Sequence, residues 1–484
     1  MRVLMLGWEF PPFITGGLGT ACYGLTRAMS ARGTQISFVL PKQVGSEYTS
    51  HVKMLSPQSP QAQAHDRSPQ AVASTFKADP KPTPVDTQGK EAFRNVVFKA
   101  VPSHMASVYP GGGLQYTPTG TRKTEGIGFI HSQQVETVTA TSNVDSAKPD
   151  SSGTSAEQAN ALPEAPDIGY GGDLFNETRR YADLCLDLAK GEDFDVIHAH
   201  DWLTFPAAQA LSEATGKPWI AHVHSTEYDR AGEGANLEIA EYEKRGVLSA
   251  NRVIAVSEFT RKILINRFGL DKSKCDVVYN GVEQTLKNGV EKTKPLAPPT
   301  GIKKGEKVVL YLGRVTMQKG PEYFIAAAKK VLEKMDNVKF VVAGSGDQIE
   351  RTIEQAAKAG IGSKITFTGF LRRADVDRIF EMADVYVMPS VSEPFGIAPL
   401  EAIAHDVPVI ISRQSGVSEV LEHALKVDFW DTHDIANKII AVLRHPPLSK
   451  TMRKHADMEV RELTWDGAAA KCEAVYESLI GTAV

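Results

Sequence analysis

The chain has 484 residues, 42% of them hydrophobic, so it exceeds the length at which a single core stops growing and should form two or more domains. Its 54 basic and 58 acidic side chains give a net charge of -4, which excludes the broad positive field of a general nucleic-acid binder. The four cysteines show no CxxC spacing, and no run reaches the ~18 apolar residues of a membrane span. We therefore expect free thiols in a reducing cytoplasm and no transmembrane segment, while peripheral membrane association stays open.

Short apolar runs alternate with helical stretches along most of the chain. The first run, 2–7, precedes a glycine-rich loop and a helix over about 20–32. Further strands are predicted at 35–40, 195–199, 219–223, 252–256 and 276–277, and then at 308–312, 339–343, 365–368, 384–388 and 407–411. Such alternation is typical of βαβ units and parallel sheets. Two such series, broken at the proline-rich segment 294–299, predict an α/β protein with two Rossmann-like domains and a hinge between them.

Residues 44–166 have a different composition, rich in Ser, Pro, Gln, Ala and Thr and poor in aliphatic side chains. Such a segment cannot bury enough apolar surface to offset the entropy of ordering it. We predict a low-complexity, largely disordered insertion on the first domain. Only 95–100 and 126–131 resemble strands, which suggests a hairpin inside it.

The loop after the first strand carries two adjacent glycines, Gly16 and Gly17, just before the first helix. Glycines let backbone N–H groups approach a phosphate closely, and the helix N-terminus adds partial positive charge. The loop is not a GxGxxG motif, which disfavours nicotinamide binding. A tight structural turn is the alternative interpretation.

Histidines gather at the ends of two strands in the first domain, His198 and His200 before Asp-Trp, and His222 and His224 before Ser-Thr-Glu-Tyr-Asp-Arg. Open α/β sheets bind their ligands at this edge, so a cleft lining is expected, with core histidines as the alternative. The spacing is not HExxH and no cysteine joins the group, so we expect no metal site.

Two cations, Arg314 and Lys319, follow strand 308–312 of the second domain and are bracketed by Gly313 and Gly320. Arginine offers a planar fork and lysine a compact charge, and together they can hold a diphosphate. Both would stabilise a departing nucleoside diphosphate more strongly than the ground state. A solvated basic loop is the alternative.

Two carboxylates eight residues apart, Glu393 and Glu401, straddle a predicted strand-to-helix turn. Between them, the N–H groups of Phe395, Gly396 and Ile397 open the helix and can meet a phosphate or sugar hydroxyls. Glycosidases also pair carboxylates, but at a fixed separation across the bond that they cleave. The neighbouring diphosphate cradle favours transfer over hydrolysis. One capping and one solvated carboxylate is the alternative.

These motifs together resemble the donor site of retaining glycosyltransferases of the GT-B fold, especially family 4 and the glycogen and starch synthases. The resemblance covers about 1–42 and 168–484. It implies an acceptor-side domain over 1–285 and a nucleotide-sugar-binding domain over 286–460, which face each other across a deep cleft. A last helix, within 461–484, would cross back to the first domain.

The same resemblance implies roles for individual residues. Glu393 would contact the hexose hydroxyls, Glu401 the ribose, and His200 the donor sugar through a ring nitrogen or its backbone. The backbone at Leu371 would receive the base, and the glycine turn at Gly344 would lie beside the donor. In the family, side chains and helix dipoles neutralise the phosphates, so no metal or other cofactor is expected.

The leading hypothesis is a retaining enzyme that transfers a hexose, glucose from ADP-glucose or UDP-glucose, to the non-reducing end of an α-1,4-glucan. The first alternative is a family 4 glycosyltransferase of the cell envelope, making lipopolysaccharide or exopolysaccharide. The carboxylate spacing disfavours a nucleotide-sugar 2-epimerase, and the intact cations disfavour a non-catalytic nucleotide-sugar-binding protein. Ile14 stands where the synthases usually have lysine, which places the chain nearer family 4 and leaves the base of the nucleotide open.

Overall fold

The computed structural model describes residues 1–10, 17–41, 54–55, 96–100, 173–283, 302–303, 305–371 and 373–481. Within them the chain forms two separate parallel sheets, one of eight strands and one of six. The predicted α/β architecture with two Rossmann-like domains is confirmed. No helix in these ranges combines the length and the apolar character that crossing a membrane requires.

The first sheet has the strand order β3-β4-β2-β1-β5-β6-β7-β8. Its strands are β1 (Arg2–Leu6), β2 (Gln35–Leu40), β3 (Met54–Leu55), β4 (Val96–Ala100), β5 (Val196–His200), β6 (Trp219–Val223), β7 (Arg252–Ala255) and β8 (Cys275–Val277). The accompanying helices are α1 (Gly17–Ala31), α2 (Asp173–Ala189), α3 (Phe205–Thr215), α4 (Glu227–Ala231), α5 (Leu237–Ser249) and α6 (Glu258–Phe268).

The second sheet has the order β11-β10-β9-β12-β13-β14. Its strands are β9 (Lys307–Leu312), β10 (Val338–Ala343), β11 (Ile365–Gly369), β12 (Val385–Met388), β13 (Val409–Ser412) and β14 (Leu425–Val427). Its helices are α7 (Pro321–Leu332), α8 (Ile349–Lys358), α9 (Arg373–Met382), α10 (Ile397–Ala404), α11 (Thr432–Arg444) and α12 (Pro446–Glu462). The strand order reverses between β9 and β12, and open α/β sheets bind ligands at such a switch point.

Both faces of each sheet are covered, which explains the nearly continuous apolar runs of the strands. In β1, Leu4 and Leu6 belong to one core, while Val3 and Met5 belong to the core on the opposite face. This alternation follows from the two-residue repeat of a strand.

The last helix, α13 (Trp465–Ile480), packs against α1 of the first domain and shares its core. A Cβ on Gly24 of α1 would overlap the indole ring of Trp465, so glycine is what allows this close approach. Arg32 adds an ion pair to Glu473, with the Nε and Oε2 atoms 2.6 Å apart.

Two strands come from within the predicted insertion at 44–166. β4 pairs with β2, and β3 pairs with β4, both in parallel. This part of the segment therefore extends the first sheet, and no hairpin forms between its two described strands. The strand predicted at 95–100 is confirmed as β4, and its apolar run continues the sheet beyond β2. The other strand-like run, 126–131, lies outside the described residues.

Candidate active site

An ion pair lies at the switch point of the second sheet. Lys319 follows β9 and Glu393 follows β12, and the Nζ of the lysine is 2.6 Å from Oε2 of the glutamate. The hydroxyl of Ser390 donates to the same carboxylate oxygen at 3.2 Å. The two charged side chains are 20% and 10% exposed. The structure thus brings together one cation and one carboxylate that the sequence analysis had placed in separate motifs.

Glycine is what allows the two loops to meet. Gly320, next to Lys319, has a φ of 62°, and a Cβ there would overlap the carbonyl oxygen of Pro389. Any other residue would be strained and would push the loops apart. α7 begins at the next residue, so its N-terminus lies beside the ion pair.

Two buried tyrosines form the floor beneath the ion pair. The hydroxyl of Tyr311 donates to the carbonyl of Arg314 at 2.9 Å. Burial raises the pKa of Tyr311 and of Tyr386 well above the usual value, and the negative charge of Glu393 raises both further. Glu401 acts on Tyr386 in the same way, while Arg314 opposes the shift at Tyr311. Three of the four predicted charged residues, Arg314, Glu393 and Glu401, therefore lie within electrostatic reach of these tyrosines.

The loops after β9, β10 and β11 are joined through a second glycine. Gly344 has a φ of 136°, and a Cβ there would overlap the carbonyl oxygen of Gly313. Its N–H donates to the carbonyl of Gly369 at 2.9 Å. The next residue after Gly369, Phe370, is exposed, and Leu371 is half-buried against one core of the second domain. The predicted glycine turn and the predicted base loop are therefore neighbours.

The turn after β12 leads directly into α10. Phe395 is buried, Gly396 has a φ of 106°, and the helix begins at Ile397. The carbonyl of Phe395 accepts a hydrogen bond from the N–H of Val417 at 2.7 Å. Glu401 lies one turn into the helix and is half-buried. The helix N-terminus and Glu393 thus share one edge of the second sheet.

Four histidines form a ladder on one face of β5 and β6. The rings of His198 and His200 are stacked 4.4 Å apart, and those of His222 and His224 are 4.2 Å apart. His198 shares a hydrogen bond with His222 at 3.0 Å, and His200 shares one with His224 at 2.9 Å. The hydroxyl of Tyr476, on α13, bonds to the other ring nitrogen of His198. The ladder thus connects the cleft edge of the sheet to the crossing helix.

Burial keeps this ladder neutral. It lowers the pKa of His198 and of His224 to about 3, and it lowers the pKa of His200 and of His222 well below the usual value. Ring nitrogens of His198, His200 and His222 lie within 4.8 Å of one another. Neutral imidazoles are metal ligands, but both nitrogens of His198 are already engaged in hydrogen bonds within the ladder. The expectation of no metal stays a prediction.

The ring of His200 is fully buried, so it lies behind the cleft surface formed by the described residues. Its Nε2 atom has no hydrogen-bond partner among those residues. The donor contact that the resemblance implies for His200 stays a prediction, and a contact through the backbone suits this burial better. Gly17 is exposed as the first residue of α1, and Gly16 lies outside the described residues.

A buried charge network forms the opposite wall of the cleft. Arg230 pairs with Glu227, Nε to Oε2 at 3.0 Å, and with Glu243, whose oxygen is 2.5 Å from the guanidinium. Burial raises the pKa of Asp201 and of Glu243 to about 7. The sequence predicts a cleft position for the segment 222–230 but not for Glu243, which lies on another helix.

The two domains touch across the crevice at several polar contacts. The hydroxyl of Ser392 donates to the carboxylate of Asp229 at 2.6 Å, and the hydroxyl of Ser257 donates to the carbonyl of Pro394 at 2.6 Å. The carboxylate of Glu419 accepts hydrogen bonds from the first N–H groups of α6. None of these pairs was expected from the sequence, because each joins residues more than a hundred positions apart.

Two Rossmann-like domains that meet across a crevice, with a cation and a carboxylate paired at the switch point, are the features of a GT-B glycosyltransferase. Three family models match the chain in succession. They are the starch synthase catalytic domain over 2–87, glycosyltransferase family 4 over 146–286 and glycosyl transferases group 1 over 293–458.

An uncharacterized glycosyltransferase of Methanocaldococcus jannaschii is 32% identical over 59% of this chain and 76% of that protein. A glycogen synthase of Mycobacterium tuberculosis is 27% identical over 58% of this chain and 68% of its own length. The chain therefore belongs to the family 4, glycogen synthase-like glycosyltransferases, and is an enzyme that transfers a sugar.

Solved structures share the fold at low sequence identity. Sucrose-phosphate synthase from Thermosynechococcus elongatus has a TM-score of 0.64 and 17% identity, with 100% of both chains covered. Anabaena HepE, solved in complex with UDP and glucose, has a TM-score of 0.61 and 15% identity over 99% of this chain and 100% of that one.

Proposed function

We propose that this enzyme is a retaining hexosyltransferase that transfers glucose from ADP-glucose or UDP-glucose to the non-reducing end of an α-1,4-glucan. The observation that carries the proposal is the 2.6 Å pair of Lys319 and Glu393 at the switch point of the second sheet. The glycogen synthase relative and the starch synthase match at the N-terminus support the choice of acceptor. The structural neighbour solved with UDP and glucose supports the class of donor.

The pair explains how one pocket serves both a diphosphate and a sugar. Without donor, Lys319 and Glu393 neutralise each other, which keeps both charges compensated while they are partly buried. An arriving diphosphate attracts the ammonium group, and Glu393 is then released to accept hydrogen bonds from hexose hydroxyls. Arg314 adds a second cation on the same floor.

The leaving group gains negative charge as the bond to the sugar breaks. Cations that are held in place before the reaction stabilise that charge without reorganising. Lys319 and Arg314 would do this, assisted by the N-terminus of α7. The protein then needs no metal for charge neutralisation.

A second candidate is transfer to a small phosphorylated acceptor or to a cell-envelope acceptor. It is favoured by relatives named D-inositol 3-phosphate glycosyltransferase and mannosylfructose-phosphate synthase, which are 28% and 26% identical to this chain. The buried acids around Arg230 oppose it, because they make that wall unfavourable for a phosphate.

The experiment combines a panel of donors with a panel of acceptors. Pure protein is incubated with ADP-glucose, UDP-glucose or GDP-mannose, together with glycogen, maltooligosaccharides or sugar phosphates, and released nucleoside diphosphate is measured. We expect release with a glucose donor that depends on glycogen, and an α-anomeric product by NMR. Release that depends only on a sugar phosphate would replace the glucan proposal with the second candidate.

A further inference from the structure

An exposed aromatic ring stands at the rim of the second domain. Trp430 follows β14 and is 58% exposed. Its ring packs edge-on against Phe429, with centroids 4.7 Å apart, and Phe429 packs against Tyr323 at 5.1 Å. Tyr323 lies in the first turn of α7. The exposed indole therefore rests on a rigid base that is continuous with the loop of Lys319.

The strand order places this ring at a definite end of the donor site. In parallel sheets the loops after the strands share one edge, so they follow the strand order β11-β10-β9-β12-β13-β14. Phe370 follows β11, Lys319 follows β9, Glu393 follows β12, and Trp430 follows β14. Phe370, in the segment expected to receive the base, and Trp430 therefore lie at opposite ends.

The ring also lies close to the carboxylate expected to bind the hexose. Two strand spacings separate β12 from β14, roughly 10 Å. The N–H of Glu393 donates to the carbonyl of Gln414 at 2.9 Å, and the side-chain amide of Gln414 donates to Asp428 at 3.1 Å. Asp428 lies two residues before Trp430, so hydrogen bonds connect the rim to the site.

Polar groups beside the ring can form hydrogen bonds with the hydroxyls of a sugar. The Nε atom of Arg413 is 3.9 Å from Oδ2 of Asp428, and both side chains are exposed to solvent. An exposed pair at this distance adds little to stability, so it can exchange its contact for a ligand at little cost. An aromatic face next to a guanidinium and a carboxylate matches a hexose, which has one apolar C–H face and a rim of hydroxyls.

We propose that Trp430, supported by Phe429 and flanked by Arg413 and Asp428, is a platform that binds the glucan acceptor chain beyond the donor site. The inference rests on the proposed function, because it takes the acceptor to be a long α-glucan. A protein partner fits less well, since one exposed ring is far smaller than a stable interface.

The test compares Trp430→Ala and Trp430→Phe in the full chain. The control is Met458→Ala, which removes a side chain of similar exposure, 60%, from α12. Retention in native gels that contain glycogen reports binding, and initial rates report KM for glycogen and for maltotriose. We expect Trp430→Ala to weaken retention and to raise KM for glycogen about tenfold, with kcat and the donor KM unchanged. Trp430→Phe should retain most of the binding, and Met458→Ala all of it.

Unchanged retention of Trp430→Ala would overturn the platform, and so would an equal loss with maltotriose. Lys319→Ala separates this result from failure of the proposed function, because that variant should lose transfer and keep its retention by glycogen. If the enzyme never uses glycogen while retention still depends on Trp430, the proposed function fails, and Trp430 binds glucan without presenting it as an acceptor. If it uses glycogen with no dependence on Trp430, the platform fails and the function stands.

Discussion

The ion pair between Lys319 and Glu393 contributes differently to folding and to catalysis. A single partly exposed pair contributes little to the free energy of unfolding, because desolvation of the charges offsets their attraction. In the proposed reaction, the same lysine would be a fixed positive charge at the point where the leaving group gains negative charge. Loss of this residue should therefore lower turnover strongly, while its cost in stability comes from leaving Glu393 without its partner.

Replacement of Lys319 by Ala should therefore lower kcat at least ~100-fold, as expected for the loss of one fixed electrostatic contact. The free energy of unfolding should fall by about 1 to 3 kcal/mol, because the buried carboxylate of Glu393 loses its charged partner. Steady-state release of nucleoside diphosphate and chemical denaturation check the two parts. The matched control is Lys358→Ala, which removes an exposed lysine paired with Glu354 within α8. Near-normal turnover of Lys319→Ala would remove this pair from the mechanism.

A substitution at Gly344 tests whether the glycine turns hold the loops of the site in contact. Its φ of 136° is unfavourable for other residues, and a Cβ would meet the backbone of Gly313. Gly344→Ala should cost about 2 to 4 kcal/mol of unfolding free energy and raise the donor KM, because the loops after β9 and β10 must separate. Gly362→Ala is the control, since a Cβ there would meet open space. Equal stability of the two variants would contradict this account.

At the scale of elements, β5 and β6 place their histidines side by side. Residues two apart in a strand share a face, so the positions of all four rings follow from sequence spacing once the strands are neighbours. Burial then holds the imidazoles neutral in the folded protein, while in the unfolded chain each has a pKa of ~6.5. The difference makes the stability of the first domain depend on pH.

The sign of this dependence follows from proton counting. Below about pH 6.5 the unfolded chain takes up protons on the four histidines and the folded chain does not, so stability falls as pH falls. Asp201 and Glu243 act in the opposite direction, because their folded pKa values of about 7 lie above their unfolded values. Burial also raises the folded pKa of Asp229, so three acids oppose the four histidines. Unfolding should therefore take up about one to two protons near pH 5.5, or ~1.4–2.7 kcal/mol per pH unit.

Chemical denaturation from pH 7.5 to 5.5 measures this slope. His222→Gln should reduce it by about one proton, ~1.4 kcal/mol per pH unit, because one neutral buried imidazole is gone. His423→Gln is the control, since that ring is exposed and lies outside the ladder. A wild-type stability that stays constant from pH 7.5 to 5.5 would show that the ladder is not held neutral by the fold.

The elements that the sequence predicted best are those with strong local patterns. The strand before Arg314 was predicted within one residue of its bounds, because its apolar run is complete within the segment, and α13 lies within the predicted range 461–484. The strand at 95–100 was also predicted, as β4 within the insertion, but its pairing with β2 joins distant segments and could not be read from its local pattern. The bonds from Tyr476 to His198 and from Ser392 to Asp229 join distant residues, so no local pattern could reveal them.

At the scale of the whole molecule, the chain passes between the two domains twice, and the residues of the two passages lie side by side. The N–H of Val282 donates to the carbonyl of Leu463 at 2.9 Å, and a Cβ on Gly281 would overlap the backbone of Trp465. Adjacent crossings of this kind suit a hinge. The contact of Ser392 with Asp229 then lies across the crevice and joins the two facing walls.

Ser392→Ala should therefore impair closure of the crevice without unfolding either domain. Losing a hydrogen bond to a buried carboxylate should lower kcat/KM for the donor about 3- to 10-fold, since each such bond is worth ~0.5–1.5 kcal/mol. Small-angle scattering should show less compaction on addition of nucleoside diphosphate than in the wild type. Ser363→Ala, in the turn before β11 and away from the crevice, serves as control. Wild-type values in both measurements would mean that the contact does not contribute to closure.

The last prediction concerns metal independence, which involves both domains. If Lys319, Arg314 and the helix N-termini neutralise the diphosphate, EDTA should leave transfer within about twofold of its untreated rate, because no bound ion then stabilises the leaving group. Three histidines of the ladder form the competing site in the described part of the chain, because their ring nitrogens lie within 4.8 Å of one another. They are His198, His200 and His222. Elemental analysis of the purified protein, combined with initial rates before and after chelation, separates the two. Complete inactivation by EDTA, reversed by a divalent ion in the wild type but not in His222→Gln, would make the ladder a metal site and overturn the mechanism based on protein cations alone.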